Sequence, residues 1–233
     1  MSVSIIIPAY EEGDSLRRTI CGIYTSGITF NFEVIVVVDS ESDSSTGIVR
    51  DLIKSFSNLK LLVQNDRGPL NAIRCGIQNS YLEFIVVITA DDTDDVSDIS
   101  RMNDCFMDGA HYVTASRYIH GGSYAGGPRL KRLFSKIASR LLELRHGSIA
   151  SDPTNGFKGF SRHLYSETKI KGDAGFTYGL QLLRFALSRN FQMAVIPTKW
   201  HDRVEGASSF KILKWMPSYT TWFLRVIFTR SSI

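Results

Sequence analysis

Four apolar runs in the first ninety residues, Val3–Ile7, Glu33–Val38, Leu59–Gln64 and Phe84–Thr89, are continuous rather than alternating. A strand that is apolar on both sides must be covered on both sides. That requires a mostly parallel sheet with crossover helices on its two faces. The intervening segments fit: Asp14–Tyr24, Ser45–Ser55 and Leu70–Asn79 read as helices. The expected class is therefore α/β. In such sheets ligands bind beyond the carboxyl ends of the strands. The segments there are "PAYEE", "DSESDSS", "NDRGPLN" and "TADDTDD", all polar, and three of them carry several carboxylates.

The second half reads differently. His111–Ser116 is a strand, followed by the glycine-rich "YIHGGSYAGGP" and a basic helix over Arg129–Leu144. "SDPTNGFKGFSR", a helix over Tyr178–Ser188 and a strand over Gln192–Pro197 complete it. The stretch 212–233 mixes Trp215, Tyr219, Trp222, Phe223 and Phe228 with Lys214, Arg225 and Arg230. We expect one domain over 1–211 and an amphipathic appendage over 212–233, which meets a membrane surface or a second copy.

At 233 residues and 43% hydrophobic, the chain buries a real core. A net charge of +4 is too small for a protein that coats nucleic acid. Three widely spaced cysteines form neither a disulfide framework nor a CxxC knuckle, which points to a reducing cytoplasm. The first apolar run is short, meets Pro8 and two acids, and lacks a basic leader, so it reads as a strand and not a signal peptide. No window of 18 apolar residues is present, so no spanning helix is expected.

The sharpest local feature is "TADDTDD". Carboxylates gathered at a strand end repel one another unless a cation sits among them. Mg²⁺ or Mn²⁺ suits such a loop, taking one or two carboxylates and leaving other positions to phosphates and water. Asp91 comes first after the strand and is the best-placed ligand, with Asp94 or Asp95 second. The plain alternative is a solvated turn in which Asp95 or Ser97 caps a short helix. Neither GxxxxGK[ST] nor GxGxxG after the first strand occurs. Phosphate donors come instead from the second half: Arg117, Arg129, Lys131, Arg132, Arg203 and Lys211. An acidic metal loop met by cations from elsewhere suits a diphosphate.

In order along the chain, "SIIIPAYEE", "VVVDSESDSS", "GPLNAIRCGI", "ITADDTDD", "ASRY", "DPTNGFKGFSR" and "RVEGASSFK" resemble the motifs of family 2 glycosyltransferases. The closest likeness is to their polyprenyl-phosphate branch, the dolichol-phosphate mannose synthase-like enzymes, and covers about residues 3 to 211. The resemblance implies a GT-A fold, a nucleotide-sugar donor, a divalent cation and inversion at the anomeric carbon. It implies that Pro8, Ala9, Tyr10 and Glu12 line the base and ribose pocket together with Ala90. Asp39 would hydrogen-bond the base or ribose, and Gly68 and Asn71 would border the ribose. Asp91 matches the last acid of the Asp-X-Asp motif, whose first acid is Thr89 here. Arg117 would lie near sugar and acceptor, Asp152 near the reacting centre, and Arg203 and Lys211 on phosphates.

The expected reaction is transfer of a hexose from a GDP- or UDP-linked donor to a polyprenyl phosphate, at the cytoplasmic face of a membrane. An anionic acceptor needs cations, for which Arg129 and Arg132 stand ready. A saccharide hydroxyl needs a base, for which Asp152 is the candidate. A nucleotide-binding homologue without catalysis is a further alternative, carried by Thr89, and a Mg²⁺ phosphatase or receiver-like domain is another, which leaves "RVEGASSFK" and "DPTNGF" without a role.

Overall fold

β1 (Ser2–Ala9) lies inside a sheet, paired in parallel with β2 (Asn31–Val38) on one side and β4 (Phe84–Val87) on the other. Its side chains show why the run is continuous. Ile5 and Ile7 pack into one core with Val34, Val36 and Val86, while Ile6 packs into the other with Ile35, Val37, Ile85 and Val87. The computed structural model describes residues 1–172, 175–203 and 212–230, for 212–214 the backbone only.

Outside β2 lies β3 (Leu59–Val63). Beyond β4 come β7 (Lys158–Ser161), β5 (Tyr112–Ser116) and β8 (Met193–Pro197), giving the order β3-β2-β1-β4-β7-β5-β8. β7 runs antiparallel between β4 and β5; the other pairings are parallel. The first core lies under α1 (Asp14–Thr25), α2 (Ser44–Ile53) and α4 (Asp98–Met107). The second lies under α3 (Pro69–Gln78), α5 (Arg129–His146), α6 (Arg162–Thr168), α7 (Tyr178–Ser188) and α8 (Ile212–Ile227). A two-stranded parallel ribbon, β6 (Ser123–Ala125) with β9 (Lys199–His201), stands apart from the sheet.

The chain fills the sheet outward from β1 to β3, then returns to place β4 on β1's other edge. That reversal opens a crevice at the carboxyl ends of β1 and β4, the point where parallel α/β sheets bind ligands. The loops expected to matter start there.

Several elements were not anticipated. β7 arises from "KGFS", too short and too interrupted by Lys158 and Gly159 to read as a buried strand. The glycine-rich loop contains β6. The short helix offered as the alternative after the acids is α4, ten residues long, whose polar residues mask its apolar face of Ile99, Met102 and Phe106. The segment expected to form an appendage is, over its described part, docked on the domain. Val226 is buried, the Phe176 N–H donates to Tyr219 Oη at 2.9 Å, and Arg145 Nη2 donates to the Thr229 carbonyl at 3.2 Å. Pro217 sits inside α8 without ending it. No helix among the described residues is long and apolar enough to cross a membrane.

α3 approaches β1 closely because Gly76 has no side chain. A Cβ there would lie 2.5 Å from Ile6 Cγ2. Gly76→Val therefore overpacks the centre of the sheet and is expected to cost about 2 kcal/mol. Urea denaturation measures it, and an unchanged midpoint would mean that α3 can shift freely over β1.

Candidate active site

The loop after β1 is tied down by the start of α2. Asp43 caps that helix, accepting the Ser45 N–H at 2.8 Å, and also accepts the Glu11 N–H at 3.1 Å. Ser45 Oγ accepts the Glu12 N–H at 3.2 Å. Glu11 takes a left-handed backbone, φ 51°. These bonds leave Tyr10 half exposed and turn the Glu12 side chain into the crevice, where it is 16% exposed. Burial, then the neighbouring charge of Asp91, pushes the Glu12 carboxyl up to about 7. Pro8 and Ala9 are the last residues of β1.

The four acids after β4 do not converge. Asp91 Oδ2 accepts Arg203 Nη2 at 2.7 Å, and its Oδ1 accepts the Thr93 hydroxyl at 2.7 Å. Asp92, at φ 57°, turns the other way and pairs with Arg18 Nε at 2.8 Å. Asp94 is buried, its Oδ2 accepting the Thr89 hydroxyl at 2.7 Å. Burial and then the Asp91 charge push its carboxyl up to about 6. Asp95 accepts the Ser97 N–H at 3.1 Å and hydroxyl at 2.6 Å. That is the plain helix-start role: Asp95 Oδ1 serves its own turn. Among the described residues no cluster of three acids, histidines or cysteines is placed to hold a metal.

On the β5 side, Arg117 and Asp152 form a buried two-point pair. Arg117 Nε and Nη2 donate to Asp152 Oδ2 and Oδ1 at 2.7 and 2.8 Å, and the Arg117 N–H reaches Oδ2 at 2.9 Å. Burial alone would raise the Asp152 carboxyl; the guanidinium overrides it and holds the carboxyl below the usual range. Asp152, fully buried with both oxygens engaged, is thereby corrected from candidate base to anchor. Its backbone is also left-handed, φ 51°, held by Lys158 Nζ donating to its carbonyl at 3.0 Å. Lys158 donates to Thr114 Oγ1 at 2.6 Å as well. Burial drives the fully enclosed Lys158 amine down to about 7, against the opposing pull of Asp152. The Arg117 guanidinium faces the rings of Tyr124, Tyr118 and Trp200, at 4.7, 5.5 and 5.8 Å.

The remaining candidates separate into those brought together and those not. Asp39 and Gly68 meet through Gln64, whose amide donates to Asp39 Oδ1 and to the Gly68 carbonyl. Gly68 precedes α3 at φ 111°, which suits glycine. Gln64 was missed because a lone glutamine at a strand end carries no signal. Asn71 is engaged locally, bonding the Arg67 carbonyl and Arg74. Ala90 is buried beneath the acid loop, its carbonyl 3.5 Å from Thr19 Oγ1. Arg129 and Arg132 are exposed on α5, Arg132 lying 5.4 Å from the Tyr124 ring. Lys131, between them, is the one turned inward. Burial lowers its affinity for a proton, and the charges of Arg117 and Arg203 lower it further. Lys211 lies outside the described residues.

Residues 4–168 match the model of glycosyl transferase family 2. The chain belongs to glycosyl transferase family 2. This glycosyltransferase is 23% identical over 91% of its length to a dolichol-phosphate mannosyltransferase of Pyrococcus furiosus, spanning 60% of that protein. It is 22% identical over 91% of its length to a polyprenol monophosphomannose synthase of Mycolicibacterium smegmatis, spanning 85% of it. Among solved structures it is similar to glucosyl-3-phosphoglycerate synthase of Mycobacterium tuberculosis in complex with Mn²⁺, UDP and glucosyl-3-phosphoglycerate. The TM-score is 0.69 at 17% identity, covering 99% of this chain and 81% of that one. The fold is thus GT-A.

A divalent cation fits the residues present. Asp94 Oδ1 is buried without a hydrogen-bond partner, and its carboxyl feels the Asp91 charge. One or two carboxylates suffice for a hard cation that takes its other ligands from phosphates and water.

Lys158 generates a pH prediction. The native protein releases its proton near 7, the unfolded chain near the ordinary 10.5. Between those values the unfolded state holds more protons, so this group's contribution to stability rises with pH and is lost as pH falls through 7. Lys158→Met removes that slope. Its thermal midpoint relative to the parent should be more favourable near about pH 6 than near about pH 9. Equal differences at both would mean that Lys158 keeps its proton throughout.

Proposed function

We propose that this glycosyltransferase moves a hexose from a nucleotide diphosphate sugar to a polyprenyl phosphate at a membrane surface, with a divalent cation. One observation carries the reading: the order of groups along the sheet's carboxyl edge. Asp39 and Gly68 follow β2 and β3, Glu12 and Asp91 follow β1 and β4, and Arg117 with Asp152 follow β5 and precede β7. A polar end suited to a nucleotide, an acidic centre and an ion-paired end flanked by the cations of α5 thus stand in line. The relatives named for dolichol-phosphate and polyprenol-phosphate mannose transfer support the acceptor class.

In this reading the acceptor's phosphate oxygen attacks the anomeric carbon as the carbon–oxygen bond to the diphosphate breaks, inverting the centre. The electron pair stays on the leaving diphosphate. Asp91 and Asp94 would hold Mg²⁺ or Mn²⁺, which neutralises charge on that diphosphate. Arg203 and Lys211 take its remaining charge. Arg117, Lys131 and the exposed Arg129 and Arg132 gather positive charge on the acceptor side. A phosphate is already ionised and needs no base, whereas a saccharide hydroxyl does. Asp152, locked on Arg117, supports the phosphate.

α5 supports the membrane surface. Leu130, Leu133, Phe134, Ile137, Leu141 and Leu144 are exposed, the last 72% exposed, between Arg129, Arg132, Lys136, Arg140 and Arg145. Apolar residues rimmed by cations suit a helix lying at an anionic lipid interface. The neighbouring α8 exposes Leu224, and Phe228 just after it is exposed as well.

Two outcomes are expected. Asp91→Asn should lose Mn²⁺-dependent release of nucleotide from GDP- and UDP-sugars by about 10²-fold or more, with its circular dichroism unchanged. Full turnover removes Asp91 from the chemistry. The double variant Phe134→Glu/Leu141→Glu should stop floating with anionic liposomes while keeping its thermal midpoint. Undiminished flotation would take α5 away from the membrane.

A further inference from the structure

Arg203 stands between two carboxylates that leave adjacent parallel strands. Its Nη2 is 2.7 Å from Asp91 Oδ2, and its Nη1 is 3.9 Å from Glu12 Oε2. The three side chains are only 20%, 13% and 16% exposed. The other Asp91 oxygen accepts from Thr93, so each oxygen carries one hydrogen bond.

The main chain at this point is well held. The His201 N–H donates to the Thr93 carbonyl at 3.2 Å and the Asp202 N–H to the Ala125 carbonyl at 3.0 Å. The Arg203 N–H donates to Asp202 Oδ1 at 3.1 Å. Any change of partner by Arg203 is therefore a swing of its long side chain. A hard cation takes a carboxylate oxygen at about 2.1 Å. A guanidinium on the same oxygen would then meet it as a like charge in a half-buried crevice, where repulsion is weakly screened. The two cations therefore compete for Asp91.

We propose that Arg203 is an exchangeable counter-ion. In the ligand-free protein it pairs with Asp91 and stands beside Glu12. A divalent cation arriving with a nucleoside diphosphate takes its place on Asp91, and the displaced guanidinium moves to the diphosphate. The exchange rests on the sugar-transfer reading above and adds a rule of order. The cation alone must break the 2.7 Å Arg203–Asp91 contact without supplying the guanidinium a new anion, and so binds more weakly. With the diphosphate present, the displaced guanidinium gains a further anionic partner. Cation and nucleotide therefore tighten each other's binding by the same factor.

Titrating Mn²⁺ into the full chain, followed by the electron paramagnetic resonance of free Mn²⁺, tests this without turnover. Arg203→Met removes the charge but keeps the side chain's stem. It should bind Mn²⁺ alone about tenfold more tightly than the parent, a factor worth about 1.4 kcal/mol. The same variant should lose most of the tightening that GDP or UDP brings. Arg203→Lys retains a cation and should stay within about threefold of the parent for Mn²⁺ alone. Circular dichroism and the thermal midpoint in EDTA check that both fold. If Arg203→Met leaves Mn²⁺ affinity unchanged or weaker while Asp91→Asn loses it, the exchange is overturned and the metal-assisted transfer stands. If Asp91→Asn binds Mn²⁺ as the parent does, the cation is not on Asp91, and both fall.

Discussion

The parallel pairing of β1 with β2 on one edge and β4 on the other is the constraint on which the rest hangs. A strand buried on both faces and hydrogen-bonded on both edges has no freedom to slip, since one residue of slip would exchange Ile6 for its neighbours between two cores. Fixing β1 fixes where its loop leaves. Fixing β4 beside it brings the acid loop within reach of Glu12. The crevice results from the reversal of strand order, and chemistry-bearing groups collect there because the strand ends point at it.

Around that crevice the protein settles its charges locally, in small pairings. Four acids within five residues look like a trap for cations, yet the fold sends them to four partners: Arg203, Arg18, Thr89 and Ser97. Glu11, Asp92 and Asp152 all adopt left-handed backbones, uncommon for residues other than glycine, and all three border the site. Such strained positions persist only where surrounding bonds over-determine them. Asp43 supplies those bonds for Glu11, Thr19 accepts the Asp92 N–H, and Lys158 and Ser139 hold Asp152. At Asp92 and Asp152 the left-handed turn accompanies a carboxylate held on an arginine, Arg18 and Arg117 in turn.

Legibility followed the length and purity of each pattern. β1, β2 and β4 were plain because long runs of isoleucine and valine admit one interpretation. β7 was not, because its Lys158 is buried only by virtue of Thr114 and the Asp152 carbonyl, partners invisible from "KGFS". Of three cations within Arg129–Arg132, the inward one is Lys131, a choice made by how α5 docks. Arg117 and Asp152 were both singled out, but as separate groups. Their union removes Asp152 from base chemistry and gives it to the scaffold.

The sequence by itself determined that the sheet is mostly parallel and that the chain is a family 2 glycosyltransferase, and it pointed to the carboxyl edge of the sheet for the candidate site. Those conclusions rest on hydrophobic periodicity and ordered motifs, which are local and additive along the chain. Only the tertiary structure decided which charges meet. Asp91 finds Arg203 from 112 positions away and Arg117 finds Asp152 from 35. Such pairings depend on loop dihedrals and on desolvation by neighbours distant in sequence, and neither quantity exists until the chain has folded.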